Sequence, residues 1–256
     1  MSKTVHIVFA HPDPNSLTRQ MADTAKEALE AEGHRVLTSD LYGMGWKAVY
    51  GPEDFPERLN PERLSFPRES GHARESGTQP ADIAAEQEKL LAADALILQF
   101  PLWWFSMPAI LKGWIDRVWA YGLAYGYQNA GNTHRYGEGG FAGRRALVSV
   151  TTGGPEADYG PRGINGPLDQ LLFPLTHGAL FYPGMEVLPL QAVYGSSRLT
   201  EESVEAAKAA MRARMKTLFT ETPIAYRKQN GGDFPDRHTM ADHIPPGLTG
   251  ITAHIA

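Results

Sequence analysis

The sequence contains no cysteine. Disulfides, thiolate nucleophiles and cysteine-based metal sites are therefore excluded, and nothing in the chain demands an oxidising compartment. Strong charge of either sign is missing too. The 24 Lys and Arg stand against 29 Asp and Glu, for a net charge of −5, and no basic stripe stands out, which argues against a nucleic acid partner. No window approaches the ~18–20 apolar residues of a membrane span. The apolar stretch near the first residue is too short for a signal peptide, so the expectation is a cytoplasmic protein. The 9 histidines show no HExxH or comparable metal spacing, and no metal site is expected. No Ser-His-Asp arrangement follows from spacing. The Gly-rich dinucleotide fingerprint and the P-loop lysine are also absent.

What the chain does have is length and apolar content. With 256 residues, of which 42% are hydrophobic, it can build one large domain or a domain with a tail. Short apolar runs alternate with helical patterns. "VHIVFA" (5–10) reads as a buried strand, followed by a helix over 17–32 with Ser16 as N-cap and Gly33 as its stop. Further strands are expected at 34–41, 95–100, 144–150 and 185–190, and further helices at 81–94, 108–118, 166–180 and 201–219. Residues 42–80, rich in Pro, Gly and charge, show no clear period and read as a long loop. From Thr220 onward the chain reads as irregular. Strands buried on both faces and separated by helices specify a parallel sheet with helices on both sides. Five strands fit a doubly wound, flavodoxin-like α/β sheet of order 2-1-3-4-5 with an irregular C-terminal tail. Ligands in such sheets bind beyond the carboxyl ends of the strands.

Three loops fall at that end. "AHPDPNSLT" offers His11, Asn15, Ser16 and Thr18 beside a helix N-terminus. Free N–H groups there suit a phosphate, and the same residues also serve as ordinary helix caps. "QFPLWWFSMPAILKGWIDRVW" (99–119) ends a strand at Pro101 and presents Trp103, Trp104 and Phe105 in succession. Three rings past a strand end can wall a planar ligand, or fill a helix–sheet or subunit contact. "TTGG" (151–154) supplies two hydroxyls, Thr151 and Thr152, and two bare positions, Gly153 and Gly154. The glycines allow close backbone approach to a ligand, or simply a turn. Tyr125 and Tyr127, in "GLAYGYQNAG", line a pocket or pack.

Together these segments give the chain a resemblance to the flavin-dependent NAD(P)H:quinone oxidoreductases of the DT-diaphorase type. "SDLY" (39–42), "FPRES" (66–70), "AEQEKLLAAD", "AYGY", Tyr159, "FPLTHG" (173–178) and "ETP" (221–223) follow in family order through most of residues 5–223. The resemblance implies a flavin-binding domain over 1–223 and an extension over 224–256 that packs on the same domain or on a dimer partner. It implies a homodimer with flavin, FAD or alternatively FMN, at the subunit interface. It also implies a ping-pong cycle in which NAD(P)H reduces the flavin and a quinone, and by extension an azo or nitroaromatic compound, takes the electrons. By motif, His11, Ser16, Leu17 and Thr18 would hold the pyrophosphate side, with Asn15 beside them. Pro101, Leu102, Trp103, Trp104 and Phe105, with Thr151, Thr152, Gly153 and Gly154, would hold the isoalloxazine. Tyr159 would face its pyrimidine edge. Trp104, Phe105, Tyr125, Tyr127 and Tyr182 would line the substrate pocket.

The chain departs from the family pattern in three respects. Asn165 stands where NAD(P)H-using members carry a histidine that handles the proton, and an amide cannot titrate. A branch that also has Asn there prefers smaller dihydronicotinamides. Ser65 and Val204 replace polar groups near the adenine end of FAD. The loop over 128–142 is longer than in the animal enzymes. An alternative of another class is a regulatory flavoprotein docking on a membrane transport system, for which no acidic or hydrophobic docking helix is evident.

Overall fold

The computed structural model describes every residue except Tyr127, Asn129 and Ala130. Its sheet is parallel, with order β2-β1-β3-β4-β5 and a further short strand, β6, also on β4. The strands are β1 (Thr4–Phe9), β2 (Arg35–Asp40), β3 (Ala95–Pro101), β4 (Arg145–Thr151), β5 (Glu186–Val187) and β6 (Gln191–Val193). The helices are α1 (Leu17–Ala31), α2 (Phe66–Ser76), α3 (Ala81–Ala92), α4 (Ala109–Val118), α5 (Leu168–Leu171) and α6 (Glu201–Thr217).

Alternation along the strands builds two cores. Ile7 and Phe9 on β1, with Ala95 and Ile97 on β3, join Met21 and Leu29 of α1 and Met211 and Met215 of α6 on one face. Val8, Leu96, Leu98 and Phe100 join Leu111 and Trp114 of α4 on the other. Every residue of β3 is buried, and all but Gln99 are apolar, without the alternation of a half-exposed strand. Ser16 caps α1 by accepting from the Arg19 N–H at 3.1 Å. Gly33, at φ 80°, closes that helix. The His34 N–H reaches Leu29 O and the Gly33 N–H reaches Glu30 O, both at 3.0 Å, the paired bonds of a Schellman ending.

Three expectations are corrected. Residues 42–80 are not one loop, because α2 begins at Phe66 with Pro67 in its first turn and ends at Gly77, φ 72°. The rest of that segment is pinned to α4. Arg117, buried, pairs with Asp54 at 2.9 Å and Asp82 at 2.7 Å and lies over the Trp46 ring at 4.5 Å. The predicted fifth strand is two pieces, because Pro189 has no N–H to continue the ladder after the Leu188 N–H bonds Ala146 O at 2.8 Å. The predicted helix over 166–180 is a short α5 followed by a wider π-helical coil at Pro174–Phe181.

Residues after Thr220 return over the same chain. The Ile224 N–H bonds Val187 O at 2.8 Å, and the Tyr226 hydroxyl donates to Thr176 Oγ1 at 2.9 Å in the interior. The end of the chain pairs with the start of this segment, through Tyr226 and Ile255 and through Ala256 N–H to Ala225 O at 2.8 Å. Among the described residues no helix is long and apolar enough to cross a membrane, and no group of three or more His, Asp or Glu is placed to hold a metal ion.

Candidate active site

The carboxyl ends of β1, β3 and β4 bring the three loops together. Thr18 Oγ1 and Thr151 Oγ1 lie 2.8 Å apart, joining the first turn of α1 to the end of β4. The Leu102 N–H donates to Thr151 O at 2.8 Å, which ties the second loop to the third. His11, Ser16, Leu17, Thr18, Pro101, Leu102, Trp103, Thr151 and Gly153 surround one cleft of about 430 Å³. Most of the residues expected at a flavin site are thus neighbours in space.

The aromatic loop is a two-residue hairpin. Trp103 and Ser106 exchange both backbone hydrogen bonds, at 3.0 and 3.1 Å. Trp104 and Phe105 at its tip take φ 50° and 61°. That is the pattern of a type I′ turn, which normally uses Asn-Gly because a side chain at positive φ costs about 1–2 kcal/mol per residue. Bulky aromatics held there point to function rather than packing. Trp104 is 94% exposed and Phe105 47%. Trp103 also walls a second, apolar cavity of about 600 Å³ with Trp104, Met107, Leu172 and Leu175. Its ring centroid lies 6.0 Å from that of His11.

Around this cleft the backbone is left open. Among the described residues the N–H groups of Leu17, Thr18, Trp104, Phe105, Gly153 and Gly154 have no acceptor within the chain. Unpaired N–H groups at a helix start and in Gly loops are anion and ring-edge receptors. A Cβ on Gly153 would stand 2.8 Å from Ser197 Oγ, so this stretch stays bare where a ligand would lie against it. A phosphate on the α1 side and a flat heterocycle along the Trp104–Gly154 side match these donors. The residues present fit a flavin nucleotide.

Beyond Gly154 lies a third cavity, of about 390 Å³, lined by Tyr159, Asp169, Phe173, Tyr194 and Tyr226 among others. The rings of Tyr159 and Tyr194 are 5.8 Å apart. Burial raises the Tyr194 phenol above its usual pKa, and Glu156 and Asp169 add to the effect. Asn165 is half-buried, and its N–H donates to Asp158 O at 2.9 Å.

Not every expected residue joins the cleft. Asn15 is exposed and lies outside its lining. Thr152 is buried, with its hydroxyl donating to Gly154 O at 3.0 Å, so it shapes the Gly loop from behind. Tyr125 and Tyr182 form a separate aromatic group with Tyr121 and Tyr136. Tyr127 lies outside the described residues. Ser65 sits in a different hollow, with Asn60, Arg63 and Arg68, and Val204 packs on the α1–α6 side. Sequence reasoning missed Ser196, Ser197 and Leu199, which complete the cleft. The signal was available: "YGSS" (194–197) follows β6, and so belongs to the same end of the sheet.

Comparison with known proteins agrees with this architecture. Residues 3–218 match the family described as having a flavodoxin-like fold. The ribosyldihydronicotinamide dehydrogenase-like protein traD of Penicillium crustosum is 44% identical, over 90% of this chain and 86% of its own length. The guinea pig (Cavia porcellus) NAD(P)H dehydrogenase (quinone) 1 is 37% identical over 86% of this chain and 78% of its own. A solved structure from Klebsiella pneumoniae, provisionally described as a quinone reductase, superposes with a TM-score of 0.94 at 47% identity and covers 100% of both chains. The chain belongs to the flavodoxin-like family, in the branch of the DT-diaphorase-type NAD(P)H:quinone oxidoreductases.

Proposed function

We propose that the protein is a flavin-dependent NAD(P)H:quinone oxidoreductase that carries two electrons from a reduced nicotinamide to quinones in a ping-pong cycle. The observation that carries this reading is the ring of open N–H groups beneath a positive-φ aromatic hairpin at the carboxyl ends of three parallel strands. When bound, the flavin supplies the hydride chemistry, and the protein binds, orients and tunes it. Leu17 and Thr18 N–H groups, with Ser16 and His11 nearby, are assigned the phosphate. Trp104, Phe105, Gly153 and Gly154 N–H groups are assigned the polar edge of the ring. Pro101, Leu102 and Trp103 supply its wall. Tyr159 is assigned the hydrogen bond donated where negative charge would develop. Asn165 can donate but cannot take up a proton, which assigns proton handling to Tyr159 or to water.

FAD is the proposed flavin, with FMN as the alternative. A second copy of the chain is proposed to cover the exposed Trp104 and the apolar cavity beside it, and to complete a substrate pocket lined by Tyr125, Tyr127 and Tyr182, partly from the second subunit. The compartment proposed is the cytoplasm. Azo and nitroaromatic compounds are proposed as further acceptors, since the same slot takes flat rings. The similarity to a ribosyldihydronicotinamide dehydrogenase-like protein adds smaller dihydronicotinamides to the donors worth testing.

The test is an absorption spectrum of the purified protein, followed by identification of the released chromophore and titration with NADH, NADPH and a ribosyldihydronicotinamide. A band near ~450 nm that bleaches with a nicotinamide and recovers with a quinone is the expected result. A protein that remains colourless after added flavin would overturn the reading.

A further inference from the structure

The C-terminal segment builds a cavity with chemistry of its own. It measures about 190 Å³ and is lined by Arg135, Arg227, Arg237, His177, His238 and His254, with Tyr136 and Phe234 as ring walls. Among the described residues no carboxylate lines it. Arg227 is paired with Asp233 at 2.8 Å, and that carboxylate is shared with His243 at 3.0 Å. Arg135 and Arg237 use their Nε groups on neutral amides, Gln229 at 2.7 Å and Asn230 at 3.0 Å. Among the described residues neither has a carboxylate within ion-pair distance. The terminal amines of these two guanidiniums, Arg135 half-buried and Arg237 exposed, are therefore free of carboxylates and open to an incoming anion.

We propose that this cavity is a binding site for a phosphate group, held by Arg135, Arg227 and Arg237 from three separate stretches of chain. Guanidinium forks match phosphate oxygens in geometry, and converging forks suit a tetrahedral anion better than a planar carboxylate. The charge has the right sign: three guanidiniums line the cavity, while the nearby carboxylates, Asp233 on Arg227, Asp236 beside His238 and Glu138 on the Asn230 amide, lie outside its lining. A phosphate monoester carries about −1.5 to −2 near neutral pH. Size limits the ligand further. The volume falls below the roughly 300–1,000 Å³ of sites that enclose whole small molecules, so it takes an anionic group and leaves the remainder of any larger ligand outside. Burial, and then His254, depress the His177 pKa to about 4, while burial and Arg227 lower that of His254. Arg237, an exposed lining residue, holds φ 63°, an unfavourable conformation for a side-chain-bearing residue.

Two sources share this chemistry: the phosphate of a nucleotide donor such as the 2′-phosphate of NADPH, and free inorganic phosphate. The cavity backs onto the Tyr159 cavity across Phe173, His177, Tyr226 and His254, whose rings pack together. The experiment is calorimetric titration of the flavin-loaded protein with inorganic phosphate at low ionic strength, repeated for R135A, R237A and the double variant, with R212A on α6 as a remote control. Expected are one phosphate per chain, about tenfold weakening by each single substitution, loss in the double variant, and no change in the control. Thermal melts establish that each variant is folded. A parallel binding titration with NADPH and NADH separates the sources. Competition of phosphate with NADPH alone identifies the 2′-phosphate, and competition with neither identifies free phosphate. No phosphate binding to the wild type, or binding that survives in the double variant, overturns the proposal. Because the readout is binding rather than turnover, failure here is distinct from failure of the quinone reductase reading.

Discussion

Thr18 and Thr151, 133 residues apart in sequence, share a buried side-chain hydrogen bond of 2.8 Å that clamps the phosphate-side loop to the ring-side loop. Each hydroxyl is the other's partner, so removing one strands the other in the interior. Thr18→Val should therefore destabilise the protein by about 1–3 kcal/mol, the cost of a buried unsatisfied group. It should also weaken flavin retention, because the two loops lose their register. Thr18→Ser should preserve both. Denaturant unfolding and flavin titration of the two variants decide the point. Equal behaviour of Val and Ser would mean that the methyl packing, not the bond, sets the geometry.

The aromatic hairpin yields a prediction of opposite sign for fold and site. Phe105 sits at φ 61° and is 47% exposed, so it strains the backbone and packs little. Phe105→Gly removes the strain while adding freedom to the unfolded chain, and these terms nearly cancel. The flavin-free protein should stay within about 1 kcal/mol of wild type. Flavin affinity and quinone turnover should fall. A loss of about 3–5 kcal/mol, the usual cost of truncating a buried Phe, would instead place Phe105 in the core.

Much of this was legible in the sequence. The apolar runs over β1, β3 and β4 gave strands within a residue or two, because burial on both faces leaves little besides side-chain pattern to read. The three loops followed from strand order alone. What was hidden depends on long-range contacts. Helix α2 carries Pro67, Gly71 and many charges, and its propensity is poor. The segment before it is held in place by Arg117 and Asp54, 63 residues apart. The split of the last strand needed the weight of one proline, Pro189. Nor did sequence indicate that Trp104 and Phe105 occupy positive φ, since those residue types argue against such a turn.

Tyr159 tests the proposed chemistry. Its ring lies beside Tyr194 in a cavity that also holds Asp169. Tyr159→Phe keeps the ring and deletes the donor. If the phenol stabilises developing charge, the turnover number should fall by about 10²-fold with little change in the KM for the quinone. Tyr194→Phe, one ring further away, should cost less. Stopped-flow measurement of the two half-reactions locates the loss. An unchanged Tyr159→Phe enzyme would assign charge stabilisation to the backbone N–H groups alone.

Acid should unfold the protein through its buried histidines. His6 is fully buried between Ser39 and Trp114, with Nε2 2.9 Å from Ser39 Oγ. Ser39 gives its single proton to Glu86, so His6 Nε2 is the donor and Nδ1 carries no proton. Among the described residues Nδ1 has no partner, so its added proton would be buried without an acceptor, with Glu86 3.7 Å from Nε2 only partly offsetting the cost. Burial lowers the His6 pKa to about 4, against the attraction of Glu86 and with the repulsion of Lys89. His177 is depressed to about 4 as well. In the unfolded chain both titrate near ~6.5, so between there and about 4 the unfolded state binds more protons than the native one. Stability is then full above that upper value and falls as pH drops through the window, by on the order of 3 kcal/mol for His6 alone. Asp54 extends the loss lower. Burial opposes its ionisation, but hydrogen bonds from Arg117, Gly51 N–H and Lys47 hold its carboxyl below the usual range. Its contribution therefore stands above the unfolded carboxyl value and disappears as pH falls through the lowered one. Urea unfolding from pH 7 to pH 4 should give a slope approaching roughly two protons taken up, reduced by about one in His6→Asn. A flat profile over that window would mean that His6 and His177 are protonated in the native state.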